Sequence, residues 1–236
     1  MAAIRLVSAA KAFKGLSHQQ SGWNWLEEQI PPETLARFAE LYRADPPVKA
    51  EASPTPGKAE KVLLKVPYEY QLNNGPTGYR ECFSSSCAMV ARYWGRITGG
   101  DDEYNRLRAR FGDTTDSGAQ LRALGSLGLQ ATFHQNGDAA TLERLIRDGC
   151  PVPVGWLHRG SASRPSGGGH WSVVVGFDDQ AFYHNDPNGE ADLVGGGYVS
   201  NSATAGVGVR YSRKNWCHRR WEADGRGSGW YLRIKP

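Results

Sequence analysis

Three residues, in one order, have the types and surroundings that thiol chemistry needs. Cys82 opens the run Cys82-Phe83-Ser84-Ser85-Ser86-Cys87-Ala88-Met89. His170 opens a Val-rich run 88 positions later, after Gly167-Gly168-Gly169, and Asp186 follows in Asn185-Asp186-Pro187. A thiol attacks a carbonyl carbon only as thiolate, which a helix N-terminus and a nearby imidazole favour. A carboxylate on the far side of that imidazole fixes its tautomer and holds the ring for proton transfer. Gln71 lies upstream, before Asn73-Asn74-Gly75. Its amide could share oxyanion stabilisation with the backbone N–H of the nucleophile.

The elements that must carry these residues are legible in the pattern. Residues 82–94 read as an apolar helix, which places Cys82 in the first turn, where unpaired N–H groups point toward it. Cys87, five residues on, falls in the helix body and reads as a core residue. His170 stands at the start of a buried strand over 171–177, and its preceding glycines permit close approach of another backbone or a substrate. Asp186 ends the next strand, 181–185, and antiparallel pairing of the two would bring it to His170. A short strand is expected over 62–67. Helices are expected over 102–111, from the cap Ser117 to Gly128, and over 139–148. Further strands are expected over 129–134, 152–158 and 229–235. The Gly/Ser/Ala-rich stretch Val194–Gly208 reads as a long loop near a site. Helices first and antiparallel strands afterwards make an α+β pattern.

The chain has 236 residues and a formal net charge of +4. A mild basic excess suits an anionic polymer such as a cell wall, a membrane surface or nucleic acid. No nucleic-acid-binding signature is present, so nucleic acid is not an expected partner. Cys82, Cys87, Cys150 and Cys217 are too few and too scattered for a disulfide framework and lack zinc-site spacing. Reduced thiols and no metal or cofactor are expected. No signal peptide and no membrane span are read, so the chain is expected in a cytoplasm and not inserted in a membrane. Residues 1–45 read as a small helical module. It carries the capping pattern Ser17-x-x-Gln20 and apolar stripes at Trp23, Leu26, Ile30 and at Leu35, Phe38, Tyr42. Residues 46–61 read as a Pro/Ala/Lys/Glu linker, and 62–236 as the main domain. His18 reads as a packing residue.

Four separated motifs in order resemble a known family. They are Val66-Pro67-Tyr68-x-x-Gln71; Cys82-x-x-x-Ser86-x-Ala88-Met89 with Tyr93-Trp94-Gly95; Gly169-His170-Trp171-Ser172-Val173-Val174-Val175-Gly176; and Asn185-Asp186-Pro187. Together they are similar to the papain-like cysteine peptidases related to the bacteriocin-leader, or double-glycine, peptidases. The resemblance implies that fold, with Cys82 as nucleophile, His170 as general base, Asp186 orienting it and Gln71 in the oxyanion hole. It has two departures. Phe83 stands where the family usually has glycine, and the Gln-to-Cys gap is longer than in the leader peptidases proper. Both, with no ABC-transporter segment in the sequence, point away from double-glycine leader cleavage. In the first 45 residues, Lys14-Gly15-Leu16-Ser17-His18-Gln19 and Trp23-Asn24-Trp25-Leu26 resemble a helical module of phage and cyanobacterial proteins that carry cell-wall hydrolase domains. The combined expectation is a monomeric phage endolysin cutting peptidoglycan stem peptides or crosslinks, held in the host cytoplasm until a holin-type system releases it. The alternatives are a peptidase acting on a protein or leader peptide, and a non-catalytic wall-binding or phage structural protein.

Overall fold

The computed structural model describes residues 60–236. The helical module expected over 1–45, His18 within it, and nearly all of the expected linker lie outside the described residues.

Helix α1 (Cys82–Tyr93) has no internal Gly or Pro, and every residue from Phe83 to Ala91 is buried. It ends at Gly95, whose φ of 66° suits the left-handed terminator position. Helix α2 (Gly100–Arg108) starts and stops earlier than the expected 102–111, with Asp101, Asp102 and Glu103 in its first turn, where the helix dipole favours negative charge. Helix α3 (Ser117–Ser126) is capped not by Ser117 but by Asp116, whose carboxylate accepts from the Gly118 N–H at 2.8 Å. Helix α4 (Ala139–Arg147) is capped by Asp138 through the Thr141 N–H.

The strands are β1 (Val62–Leu63), β2 (Gln130–Gly137), β3 (Val152–Trp156), β4 (His170–Phe177), β5 (Ala181–Asn185), β6 (Glu190–Ala191), β7 (Tyr198–Ser200), β8 (Val209–Ser212) and β9 (Gly229–Lys235). One antiparallel sheet runs β2-β9-β3-β4-β5-β8, with the short β1 pairing the end of β4. β6 and β7 form a separate ribbon. The strand expected over 62–67 is cut to two residues: after Leu64 N–H donates to Val175 O, the Val66 N–H turns back to Leu64 O and leaves the ladder. β6, β7, β8 and the π-helix Arg213–Trp221 were not expected, and β7 lies inside the expected loop Val194–Gly208.

The sheet divides two cores. Val173 and Val175 of β4 join Leu232 and Ile234 of β9 against Met89 and Val90 of α1. Val174, Phe182 and Val154 face the other way, onto Leu142 and Ile146 of α4 and Trp216 of the π-helix. Burying each of these large side chains contributes about 1.5–3 kcal/mol. The Val-Val-Val run of β4 is therefore apolar on both faces, and it anchors His170 at its first position. The result is the α+β architecture expected: three helices on one sheet face, α4 and the π-helix on the other. No described helix is long and apolar enough to cross a membrane.

Candidate active site

A cleft of about 680 Å³ is lined by Gln71, Cys82, Phe83, His158, His170 and Trp171, among others. It lies where the N-terminal end of α1 meets the first residues of β4.

Cys82 is the first residue of α1 and is partly exposed. Cys87 is fully buried, and desolvation raises its thiol far above its ordinary range. The helix thus sorts its two thiols as expected, one in the cleft and one in the core. The preceding Glu81 is also buried, with both carboxylate oxygens occupied. They accept from Thr77 Oγ1 at 2.7 Å, Asn74 Nδ2 at 3.0 Å and Asn105 Nδ2 at 2.9 Å. Asn74 also donates to Asp101 of α2, which accepts from Ser85 at 2.6 Å. On the next position, Ser84 lies 2.7 Å from Thr114 Oγ1 and accepts from Gln120. Ser84 and Ser85 of α1 are buried without being apolar because this network satisfies them, whereas the buried Ser86 hydroxyl has no partner. It also ties the 3₁₀ turns Gln71–Asn73 and Gly75–Arg80 to the start of the helix.

His170 Nε2–H donates to Asp186 Oδ1 at 2.7 Å, with the histidine 4 % and the aspartate 0 % exposed. The register of β4 and β5 pairs Val173 with Asn185, which brings the two residues together as the strand order requires. The ring's other nitrogen, Nδ1, is not used by this bond, and Cys82 lines the same cleft as His170. Burial works against the charged imidazole, but the Asp186 carboxylate and Cys82 outweigh it and raise His170 to about 10. His170 is therefore the imidazolium at neutral pH. Trp156, His158 and Tyr198 pack around its ring at centroid distances of 5.2, 5.5 and 5.8 Å.

Asp186 has its own supports. The Tyr211 hydroxyl donates to Oδ2 at 2.9 Å, the Asn188 N–H donates to Oδ1 at 3.0 Å, and the Tyr68 hydroxyl donates to its backbone carbonyl at 3.0 Å. Its own N–H donates to Gly206 O at 2.8 Å. Gly206 admits no side chain, since a Cβ there would stand 1.8 Å from the Asp186 carbonyl oxygen. The Gly-rich segment 194–208 does lie beside the site, as its composition suggested.

Gln71 is 1 % exposed and lines the cleft. Its Nε2 donates to Gly78 O at 2.9 Å, and its backbone N–H donates to Pro187 O at 2.9 Å, so its turn is fastened to the residue after Asp186. The Nε2 group makes this one bond, and the buried Oε1 has no partner. The structure therefore gathers all four expected residues. Phe83, next to Cys82, stacks on Trp171, next to His170, with ring centroids 3.7 Å apart and planes within 4°. The Phe83 ring fastens the helix end to the strand end.

His158, Asn188, Tyr198 and Tyr211 escaped the sequence reading, and Tyr68 entered it only as part of a motif, without its bond to Asp186. They reach the site from loops and from β7 and β8, and no period marks them. Burial and the adjacent His170 charge lower His158 to about 4, so it is neutral across the physiological range. Arg220, fully buried on the π-helix, donates to the carbonyls of Leu157, Arg159, Gly160 and Leu193 at 2.8–3.1 Å and so holds the loop that carries His158.

Comparison with solved structures finds similar chains. A C39-like peptidase from Bacillus anthracis superposes with a TM-score of 0.51 at 18% identity, covering 75% of this chain and 98% of its own. A double glycine motif protease from an AMS/PCAT transporter, crystallised with the leader peptide, gives 0.47 at 19% identity over 74% and 94%. The peptidase domain of Streptococcus ComA gives 0.45 at 16% identity over 75% and 98%. No curated protein matches the sequence. The first of these structures gives the fold as the papain-like peptidase fold expected. The Peptidase_C39 like family model matches residues 63–211, well over half of the sequence and the whole of the cleft's Cys, His and Asp, and the chain belongs to that family of cysteine peptidases.

Proposed function

We propose that the cleft is the active site of a thiol endopeptidase in which Cys82 is the nucleophile, His170 the proton carrier, Asp186 its orienting partner and Gln71 an oxyanion donor. The observation that carries this reading is the buried His170–Asp186 pair set against a cysteine at a helix N-terminus. The Cys82 thiolate attacks the scissile carbonyl carbon. The Gln71 side-chain amide and the Cys82 N–H stabilise the oxyanion. His170 gives its Nδ1 proton to the leaving amine, then takes one from the water that hydrolyses the thioester. No step calls for a metal.

For substrate we favour an amide bond of peptidoglycan stem peptides or crosslinks. Among the described residues, Arg159 and Arg80, the latter paired with Asp113 at 2.9 Å, line the cleft and no carboxylate does, so it suits a carboxylate-bearing peptide, as stem peptides are. The net charge of +4 acts in the same direction. On this reading, and with the module resemblance at the N-terminus, the enzyme serves as a phage endolysin that waits in the host cytoplasm for a holin. A second reading, cleavage of a protein or leader peptide, is favoured by the aromatic side of the cleft, where Phe133, Trp171 and Trp230 suit apolar side chains.

Purified cell walls and peptides test both. Cys82→Ala is expected to abolish the loss of turbidity of cell walls, while Cys87→Ala retains it with a modest loss of stability. Mass spectrometry of the released fragments identifies the bond. Activity retained in Cys82→Ala would overturn the site assignment. Intact walls beside a cleaved peptide would transfer the substrate to the second reading.

A further inference from the structure

We propose that Cys217, His218 and Glu222 form a binding site for a divalent cation of the zinc type, separate from the cleft. None of the three lines the catalytic pocket. Their ligand atoms, Cys217 Sγ, His218 Nδ1 and Glu222 Oε2, all lie within 4.8 Å of one another. Oε2 is 2.9 Å from Nδ1 and 3.8 Å from Sγ. With zinc bonds of ~2.0–2.3 Å, the edges of a zinc tetrahedron are roughly 3.3–3.7 Å, so small side-chain shifts accommodate the ion.

The backbone explains why the three meet. Cys217 and Glu222 are five residues apart, which in an α-helix sets side chains far around the axis. Here the segment is wound as a π-helix, and the Glu222 N–H donates to Cys217 O at 2.9 Å, the i→i+5 bond of that winding. The wider turn carries Glu222 back over Cys217, with His218 beside it. π-Windings are uncommon and concentrate at functional sites.

The donor set is one thiolate, one imidazole and one carboxylate, which suits zinc or cobalt better than magnesium or calcium. Glu222 is 4 % and Cys217 0 % exposed, while His218 reaches solvent. The Gly227 N–H holds Glu222 Oε1 at 2.9 Å and so orients the carboxylate from behind. A cavity of about 460 Å³, lined by His218, Glu222, Asp138, Glu143 and one cation, Arg226, gives an ion a route in and leaves room for a water as fourth ligand. Binding displaces the Cys217 thiol proton to solvent and turns the His218 tautomer so that Nδ1 offers its lone pair and Nε2 carries the hydrogen.

Cobalt(II) titration of the full chain tests the site, because a thiolate–cobalt bond has its own charge-transfer absorption. The expected result is saturable binding of one ion with a thiolate band and about one proton released. The band persists in Cys82→Ala, disappears in Cys217→Ser, and in His218→Ala needs at least ~10-fold more cobalt. Zinc should raise the melting temperature of the wild type and not that of His218→Ala, whose half-exposed side chain can be removed without unfolding the chain. No thiolate band at stoichiometric cobalt, or a band retained in Cys217→Ser or lost in Cys82→Ala, would overturn the proposal and leave the triad as a hydrogen-bonded cluster only.

Discussion

Phe83 follows Cys82 directly at the start of α1, and its replacement by alanine has a magnitude that the packing sets. The ring is 2 % exposed and lies flat on Trp171 at 3.7 Å. Removing a buried phenylalanine ring costs about 3–5 kcal/mol. This ring borders the cleft, so water can enter part of the space it leaves, which puts the loss near the lower end, about 3 kcal/mol. For a domain of this size the melting temperature should fall by roughly 6–12 °C. Stacking beyond simple burial is worth about 0.5–1.5 kcal/mol. A double-mutant cycle with Trp171→Ala should return a coupling of that size. Because the two rings follow Cys82 and His170 directly in sequence, the same variant should loosen the distance between thiol and imidazole and lower kcat as well as stability. Phe83→Leu, which keeps most of the volume, should lose less of both. Denaturant unfolding and steady-state kinetics on the same preparations decide the matter. A loss under about 1 kcal/mol, or additive single and double variants, would refute the reasoning that this stack joins the helix to the sheet.

Asp186→Asn removes the charge that holds His170 at about 10, leaving burial to push the imidazole down. The alkaline limb of the kcat/KM profile should therefore move to lower pH. The sign for stability follows the same pair: a raised histidine stabilises fully below its unfolded value of about 6.5, and the contribution fades as pH rises toward 10. That slope, seen by chemical denaturation across pH, should be lost in the variant. Arg220→Met leaves the carbonyls of Leu157, Arg159, Gly160 and Leu193 without their donor. At about 1–3 kcal/mol for each buried group left unpaired, the variant should lose several kcal/mol. Its kcat/KM should fall further than that of an equally destabilised core variant such as Met89→Ala, because the loop bearing His158 moves. His158→Gln should leave the pH profile between 5 and 9 in place, since the imidazole at about 4 does not change charge there.

The legible part of the site consisted of residues at the ends of regular elements. Cys82 begins a helix and His170 begins a strand. Asp186 ends the next strand, and antiparallel pairing at short range sets their meeting. Hydrophobic periodicity finds such elements, and an element's end locates a side chain. Gly95, Gly128 and Gly149 stopped their helices through backbone conformation, a local property that composition reveals. The unforeseen part depends on contacts distant in sequence. Tyr211 reaches Asp186 across 25 positions, and Arg220 reaches Leu157 across 63. The π-helix hides its winding because its residues, Arg213 to Trp221, show no apolar repeat at 3.6. β6 and β7 are too short to leave an alternating pattern.

The same contrast explains why the site is built in two halves. The nucleophile and its polar network sit on α1, α2 and the two 3₁₀ turns. The imidazole and its carboxylate sit on β4, β5 and the loop to β8. Neither half alone determines the gap between them. The packing of Met89 and Val90 on Val173 and Val175 sets it at the core, and two contacts add to this beside the cleft. The Phe83–Trp171 stack acts at the apolar end of the cleft, and the hydrogen bond from Gln71 N–H to Pro187 O acts at the polar end. A thiol and imidazole must meet within a few tenths of an ångström for proton transfer. Fastening both ends of the cleft to residues adjacent in sequence to the reacting groups leaves the shortest lever between packing and chemistry. A glycine after the nucleophile could not contribute such a contact. With Phe83 in that place, the register of helix on sheet becomes a property of the catalytic segment itself.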